Sequence, residues 1–272
     1  MNVYISVDME GIAGVVHSDH TGRGNMDYEL ARQYMTGEAN AAIEGALDAG
    51  ATNIVVNDSH GTMRNIYPHL LRKEAKLISG TPKRLSMMEG ISSDKDAAIF
   101  IGYHTKASHQ GVLNHTYNSR VVQSIQVNGE HMGEFGINAL LAGSFHVPVV
   151  FVSGCNLTVD EAKKHVLTIG TNETKRSINR VSAESVHPEV SCERIRAGVK
   201  ESLERRAEIE PYHLRDACTF DLCFVNTLCA DAAATLPIVE QTSPVCVRFT
   251  DENMVDGFRT LRSLIMMAGS VI

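Results

Sequence analysis

The sequence predicts an α/β protein: a mostly parallel sheet with helices on both faces, plus a smaller α+β C-terminal subdomain. Three observations carry this. The apolar runs Val3–Val7, Asn53–Asn57, Ala97–Gly102 and Val147–Gly154 lack the strict polar alternation of a half-solvated strand, so they read as inner strands covered on both faces. A long segment of helical period separates the first two, which makes a βαβ unit with parallel strands and a right-handed crossover. From about residue 171 the pattern changes to polar or alternating strands and charged helices. The expected division is therefore an α/β domain, residues 1–170, and a smaller α+β subdomain, residues 171–272, that shapes a pocket or mediates assembly.

The first strand, Val3-Tyr4-Ile5-Ser6-Val7, ends in Asp8 and Glu10. Carboxylates are poor strand residues, so Asp8 marks the strand's end. Residues two apart on an extended chain point the same way, which aims both acids together. Gly11 and Gly14 then let the backbone turn away. From Met26 to Ala49, apolar residues such as Ala31, Met35, Ala39, Ala42, Ile43 and Ala46 recur at three- and four-residue steps, an amphipathic helix that Gly50 stops. The second strand, Asn53–Asn57, runs into Asp58-Ser59-His60-Gly61 and so delivers His60 to the edge that carries Asp8 and Glu10. Ala75–Ser79 is a short third strand, and Leu85–Gly90 begins a helix. Ala97–Gly102 is a further strand, terminated by Tyr103-His104, and the polar loop after it carries His115. Val121–Val127 alternates as an antiparallel or edge strand does, and Asn128-Gly129 is a two-residue hairpin signal. Phe135–Gly143 is helical with Glu134 in its first turn, and Val147–Gly154 is a buried strand. Beyond it come a short helix at Glu161–Thr168, a polar strand at Thr174–Val181 and a charged helix at Cys192–Ile209. Alternating strands at Thr219–Val225 and Val245–Phe249 flank a short alanine-rich helix, and Glu252–Met267 is a last helix.

Composition narrows the classes. At 272 residues the chain can bury a large core without staples. A net charge of -7 argues against a nucleic-acid partner, because no basic stripe is available to neutralise phosphates. No run approaches the roughly 20 apolar residues of a membrane span. The opening MNVYISVDME lacks the n-region and h-region of a signal peptide. The cysteines (Cys155, Cys192, Cys218, Cys223, Cys229, Cys246) show neither a C-x-x-C pair nor disulfide-framework spacing, so reduced thiols in a cytoplasmic protein are expected.

The chemistry starts from the two adjacent acids. Like charges held this close raise one pKa unless a cation sits between them. Asp8, Glu10, His60, His104 and Glu134, with His115 nearby, collect at the crevice where open α/β sheets bind ligands. Mixed carboxylate and imidazole donors suit zinc, and less specifically manganese or cobalt. With one bridging carboxylate, for which Asp8 is central, these side chains suffice for two ions. A pair of ions roughly 3.5–4 Å apart can hold a hydroxide and polarise a carbonyl. His115, off the ion shell, could then donate a proton or hydrogen bond to the oxyanion or the leaving amine. Each residue also fits a plainer role: His60 as a turn histidine, His104 as a core histidine, Glu134 as a helix N-terminal acid, His115 as an exposed loop residue. His17, His20, His109 and His131 lie in loops and could substitute for any of them. Composition and periodicity alone reach a metal-dependent α/β enzyme.

A set of motifs goes further. Ser6-Val7-Asp8-Met9-Glu10-Gly11-Ile12, Val56-Asn57-Asp58-Ser59-His60, Ile78-Ser79-Gly80, Met88-Glu89-Gly90, Gly102-Tyr103-His104, Asn114-His115-Thr116 and Gly133-Glu134-Phe135-Gly136-Ile137-Asn138-Ala139 resemble, in the same order, the dinuclear-zinc D-aminopeptidase family, the DppA-like D-stereospecific aminopeptidases. The resemblance covers the N-terminal half motif by motif and the rest loosely. It implies Asp8 as the bridging zinc ligand, Glu10 and His60 on one zinc, His104 and Glu134 on the other, and His115 in catalysis. It implies about two Zn2+ per chain, short peptide substrates with a free N-terminal D-amino acid such as D-Ala peptides, and a homo-oligomer in the form of a decameric ring. The sequence departs from the family at Cys155-Asn156, where relatives carry Asp after the strand, and this bears on substrate contacts. Other classes remain open at this point: a dinuclear amidohydrolase on another small substrate, a phosphoesterase, disfavoured because no Lys/Arg cluster accompanies the ligands, or a non-catalytic small-molecule binding module.

Overall fold

In the computed structural model, which describes residues 1–272, strand β1 (Asn2–Val7) is buried without alternation from Val3 to Val7. Such burial requires cover on both faces, as the apolar run predicts. It pairs in parallel with β2 (Asn53–Asp58) on one side and β4 (Ala97–Tyr103) on the other. The crossover to β2 holds a single turn, α1 (Ser18–Thr21), and the long helix α2 (Tyr28–Asp48). Gly50, at φ +85°, ends it by donating its N–H to Leu47. Strand β3 (Ala75–Ile78) adds in parallel outside β2. The helix expected from Leu85 is only a 3₁₀ turn, Ser86–Met88, because Ser86 and Gly90 both take positive φ and cannot propagate one.

The hairpin of β5 (Val122–Val127) and β6 (Glu130–His131) turns on Asn128 and Gly129, both at positive φ as a primed turn demands. Helix α3 (Glu134–Ser144) leads to β7 (Val149–Cys155). Helix α4 (Asn156–His165) starts five residues before the expected Glu161 and stops before Thr168. Its opening, Asn156-Leu157-Thr158-Val159-Asp160, alternates polar and apolar residues and so disguised a start made directly at Cys155, the extended cap residue. Strands β8 (Gly170–Asn179) and β9 (Ser182–Ser185) follow, then α5 (Pro188–Glu204). Helix α5 begins earlier than Cys192 because His187 caps it and Pro188 suits its first position. Strand β10 (Cys218–Phe224), helix α6 (Thr227–Ala233), strands β11 (Glu240–Ser243) and β12 (Cys246–Asp251) and helix α7 (Met254–Gly269) complete the chain.

The strands form a seven-stranded sheet, β3-β2-β1-β4-β7-β8-β9, and a five-stranded antiparallel sheet, β11-β12-β10-β5-β6. Only the β8–β9 pair of the first sheet is antiparallel. The first sheet runs past residue 170 through β8 and β9, and the second draws β5 and β6 from before it. Chain order reverses between β1 and β4: one half winds outward through β2 to β3, the other through β7 to β8. Such a switch point opens a crevice at the carboxyl ends of the two central strands. No helix is long and apolar enough to cross a membrane.

The thiol expectation is corrected at one pair. Cys223 and Cys246 form a disulfide, while Cys155, Cys192, Cys218 and Cys229 are free. The pair lies directly opposite in the β10–β12 register. A separation of 23 residues carries no framework spacing; antiparallel pairing alone brings these thiols together.

Candidate active site

Asp8 follows β1, His104 follows β4, and His60 lies two residues beyond β2, so three adjacent parallel strands deliver their side chains to the switch-point crevice. Glu134 opens α3 and reaches the same point. The Asp8 carboxylate faces two ways: Oδ1 is 3.4 Å from His60 Nδ1, and Oδ2 is 3.4 Å from His104 Nε2. Glu10 Oε2 lies 3.0 Å from His60 Nδ1, and Glu134 Oε2 lies 3.4 Å from His104 Nε2. His115 stacks on His104 with ring centres 4.2 Å apart, its Nε2 4.0 Å from Glu134 Oε1. All six sequence-expected side chains are therefore brought together. His17, His20, His109 and His131 lie outside the groups able to hold an ion.

The outer contacts aim the rings. His104 Nδ1 sits 3.0 Å from the Thr105 carbonyl and His60 Nε2 2.9 Å from the Thr21 carbonyl. Donating those N–H groups leaves His104 Nε2 and His60 Nδ1 as lone-pair donors facing the acids, the arrangement metal-binding imidazoles adopt. His104 Nε2 is fully buried and has no hydrogen-bond partner. Donor atoms of Asp8, Glu10 and His104 lie within 4.8 Å of one another, and so do those of His104, His115 and Glu134. Burial, and then the Glu10 charge, push the Asp8 carboxyl up to about 8. Against the same burial, Glu10 and Asp8 hold His60 well above its usual value, and Glu134 does so for His104. Against burial, the His60 charge holds Glu10 well below its usual value and the His104 charge lowers Glu134 to about 2, so Asp8 alone of the three acids resists ionisation. That crowding of charge, beside an imidazole nitrogen without a hydrogen-bond partner, fits a cation site built from hard and borderline donors.

The backbone around the cluster has little freedom. Gly102 sits at φ +72°, and a Cβ there would lie 2.3 Å from the Asp8 carbonyl oxygen. Lys175, on β8 and 1% exposed, donates to the Glu10 and Val15 carbonyls and pins the turn between them. The loop carrying His115 has Leu113 and Tyr117 at positive φ, a strained conformation that surrounding contacts must hold. One such contact is the Tyr117 N–H, which donates to Glu134 Oε1 at 2.6 Å.

A cleft of about 350 Å³ opens over the acids, His60 and His115, and Tyr117, Arg180 and Arg262 also line it. Sequence reasoning missed these three, and the expectation that no Lys/Arg cluster accompanies the ligands meets two arginines at the cleft. Arg262 was readable only as an arginine one turn after Phe258 on the last helix. Cys155, the departure noted in the sequence, is buried and within 3.1 Å of Thr105 Oγ1, below the crevice floor, and it does not line the cleft.

With this geometry in hand, comparison with known proteins is decisive. The peptidase M55 family model, described as D-aminopeptidase, matches residues 1–263. The chain belongs to the D-aminopeptidase family. A D-aminopeptidase of Bacillus subtilis (strain 168) is 32% identical over 269 residues, 98% of each chain. Among solved structures, the Zn-dependent D-aminopeptidase DppA from Bacillus subtilis, described as a self-compartmentalizing protease, superposes with a TM-score of 0.96. It covers 99% of this chain and 98% of its own at 32% identity. The D-aminopeptidase resemblance read from the motifs and the α/β fold are both borne out at this level.

Proposed function

We propose that this chain is a zinc-dependent D-aminopeptidase in which Asp8 would be shared by two zinc ions, with Glu10 and His60 holding one and His104 and Glu134 the other. The observation that carries the assignment is the division of Asp8, whose two oxygens face different imidazoles at 3.4 Å each. When bound, zinc supplies a Lewis acid for the scissile carbonyl and lowers the pKa of a water to near neutrality. The remaining work falls to the chain's own groups. Burial is the main reason the pKa of His115 is lowered, which favours a neutral ring. With Nδ1 2.9 Å from the Leu113 carbonyl and donating to it, Nε2 carries the lone pair. His115 therefore takes a proton from the attacking water and returns it to the leaving amine.

The experiment is elemental analysis of protein purified without chelators, paired with release assays on D-Ala and L-Ala dipeptides. About two zinc per chain with D-selective release is the expected result. Asp8→Ala and His104→Ala proteins that keep a full zinc complement would remove the ligand set.

Assembly as a homo-oligomer, and specifically a decameric ring, belongs to the same proposal. It is supported by the self-compartmentalizing relative. Light scattering on the purified protein measures it. A cytoplasmic location is also proposed; the Cys223–Cys246 bridge weighs against it, since such bonds persist in oxidising compartments.

A further inference from the structure

Arg262 is one of two cations of the cleft that the machinery above does not use. Helix α7 carries it to the cleft lining, near enough to Glu134 to feel its charge. Its guanidinium lies over the Tyr117 ring, 4.6 Å from the centre. The ring is fixed from below: Tyr117 packs edge-on against Phe258, and its hydroxyl donates to Asn138 Oδ1 at 3.1 Å. Arg262 Nε and Nη1 are both enclosed, and neither has a hydrogen-bond partner. A guanidinium offers five donors in a rigid plane and cannot shed its charge at neutral pH. Enclosing two of those donors unpaired is costly, and a fold retains such an arrangement where an anion arrives to meet it.

The neighbourhood says what that anion is. Arg180, the other cation of the cleft, is exposed and already engaged with Asn114 Oδ1 at 3.0 Å. The other charged side chains lining the cleft are the acids Asp8, Glu10 and Glu134. These acids are the proposed zinc ligands, so the guanidinium of Arg262 is the charge on the cleft that remains for an anionic end of the substrate. Tyr117 spans the gap, since its N–H holds Glu134 while its ring carries Arg262. One residue, Tyr117, therefore links the zinc ligand Glu134 to Arg262, which sets the guanidinium beside the zinc site where the residue after a dipeptide's scissile bond ends.

We infer that Arg262 binds the C-terminal carboxylate of the substrate, so that the enzyme reads both ends of a dipeptide. This rests on the aminopeptidase reading above. The planar fork meets a carboxylate with two parallel hydrogen bonds, which Lys cannot reproduce. Arg262 is thus a specificity-determining residue rather than a member of the zinc site.

The test compares D-Ala-D-Ala with its C-terminal amide. Wild-type protein should favour the free acid by roughly 10- to 100-fold in kcat/KM, the range of a charge-assisted pair. In Arg262→Met that preference should collapse to near one, mainly through a higher KM for the free acid, with zinc content unchanged. Arg262→Lys should recover part of it. A wild-type protein that cleaves both peptides equally overturns the inference and leaves the aminopeptidase reading standing, independently of how any variant folds. An Arg262→Met protein whose kcat falls equally on both peptides also overturns it, because Arg262 would then act on the reacting carbonyl. Failure of wild type to release D-Ala from either peptide removes both readings.

Discussion

Replacing Glu38 with Gln should flatten the protein's stability against pH. Glu38 lies on α2, is 1% exposed, and joins three segments: Oε1 accepts from the Ala13 N–H at 3.0 Å and from Ser191 Oγ at 2.9 Å. Its Oε2 is enclosed and has no partner. Burial is the main reason its carboxyl is pushed from 4.5 to about 7. As pH rises above 4.5, the unfolded chain gives up this proton while the folded chain keeps it. The unfolded state then binds fewer protons, so stability falls as pH rises, and the fall ends near the folded value. The span from 4.5 to about 7 is about 2.5 units. At about 1.4 kcal/mol per unit the loss is about 3 kcal/mol. Glutamine keeps the accepting oxygen and cannot ionise. Its amide N–H groups lack an acceptor, which shifts stability by an amount independent of pH, so the slope is the readout and the offset is not. Urea unfolding of both proteins at matched zinc, from about pH 5 to about pH 8, cancels the titration of every shared group. Glu38→Gln should gain on wild type by about 3 kcal/mol across that interval. A difference constant with pH would refute the argument that a buried, proton-retaining carboxyl links α2 to the ligand turn.

Three further outcomes follow from the site. Gly102→Ala should cost about 2–5 kcal/mol and lower bound zinc, because the new Cβ meets the Asp8 carbonyl at 2.3 Å and Ile12 Cδ1 at 2.6 Å at a positive φ; an unchanged unfolding midpoint with full zinc content would count against it. His115→Gln should lower kcat by about 10²- to 10⁴-fold with zinc intact, measured by D-Ala release beside elemental analysis, and a fall in zinc would instead make His115 a ligand. Replacing both Cys223 and Cys246 with Ser should lower stability by about 3 kcal/mol while leaving turnover near wild type, since the bridge lies on β10 and β12; a loss of turnover at equal folding would tie that sheet to catalysis.

What the sequence disclosed divides by physical cause. Asp8, His60 and His104 were legible because each follows a short apolar run, and parallel pairing sends the ends of such runs to one edge. Register then does the rest: Val7 pairs with Asp58 on one side and with Ile101 on the other. Glu134 was legible as an acid in a helix's first turn, a local rule needing no partner. Arg262, Tyr117 and the Cys223–Cys246 pair depend on how distant elements pack, and no local period reports that. The early start of α4 escaped for the opposite reason, since its opening residues alternate polar and apolar while the strand before it continues to the cap. Yet Arg262 did leave a trace. It stands one turn after Phe258 and beside the buried Leu261 and Ile265, so a cation sits at the margin of an apolar stripe. Asp8 left the same kind of trace, a carboxylate closing a buried strand. Local rules and global structure normally agree, and where a charge defies its surroundings the compensation has to come from outside the chain. On that reasoning Asp8 and Arg262 are two halves of one feature. The acid-lined floor requires the zinc ions, the enclosed guanidinium requires an anion, and a short peptide held over the first by its scissile carbonyl brings its own carboxylate to the second.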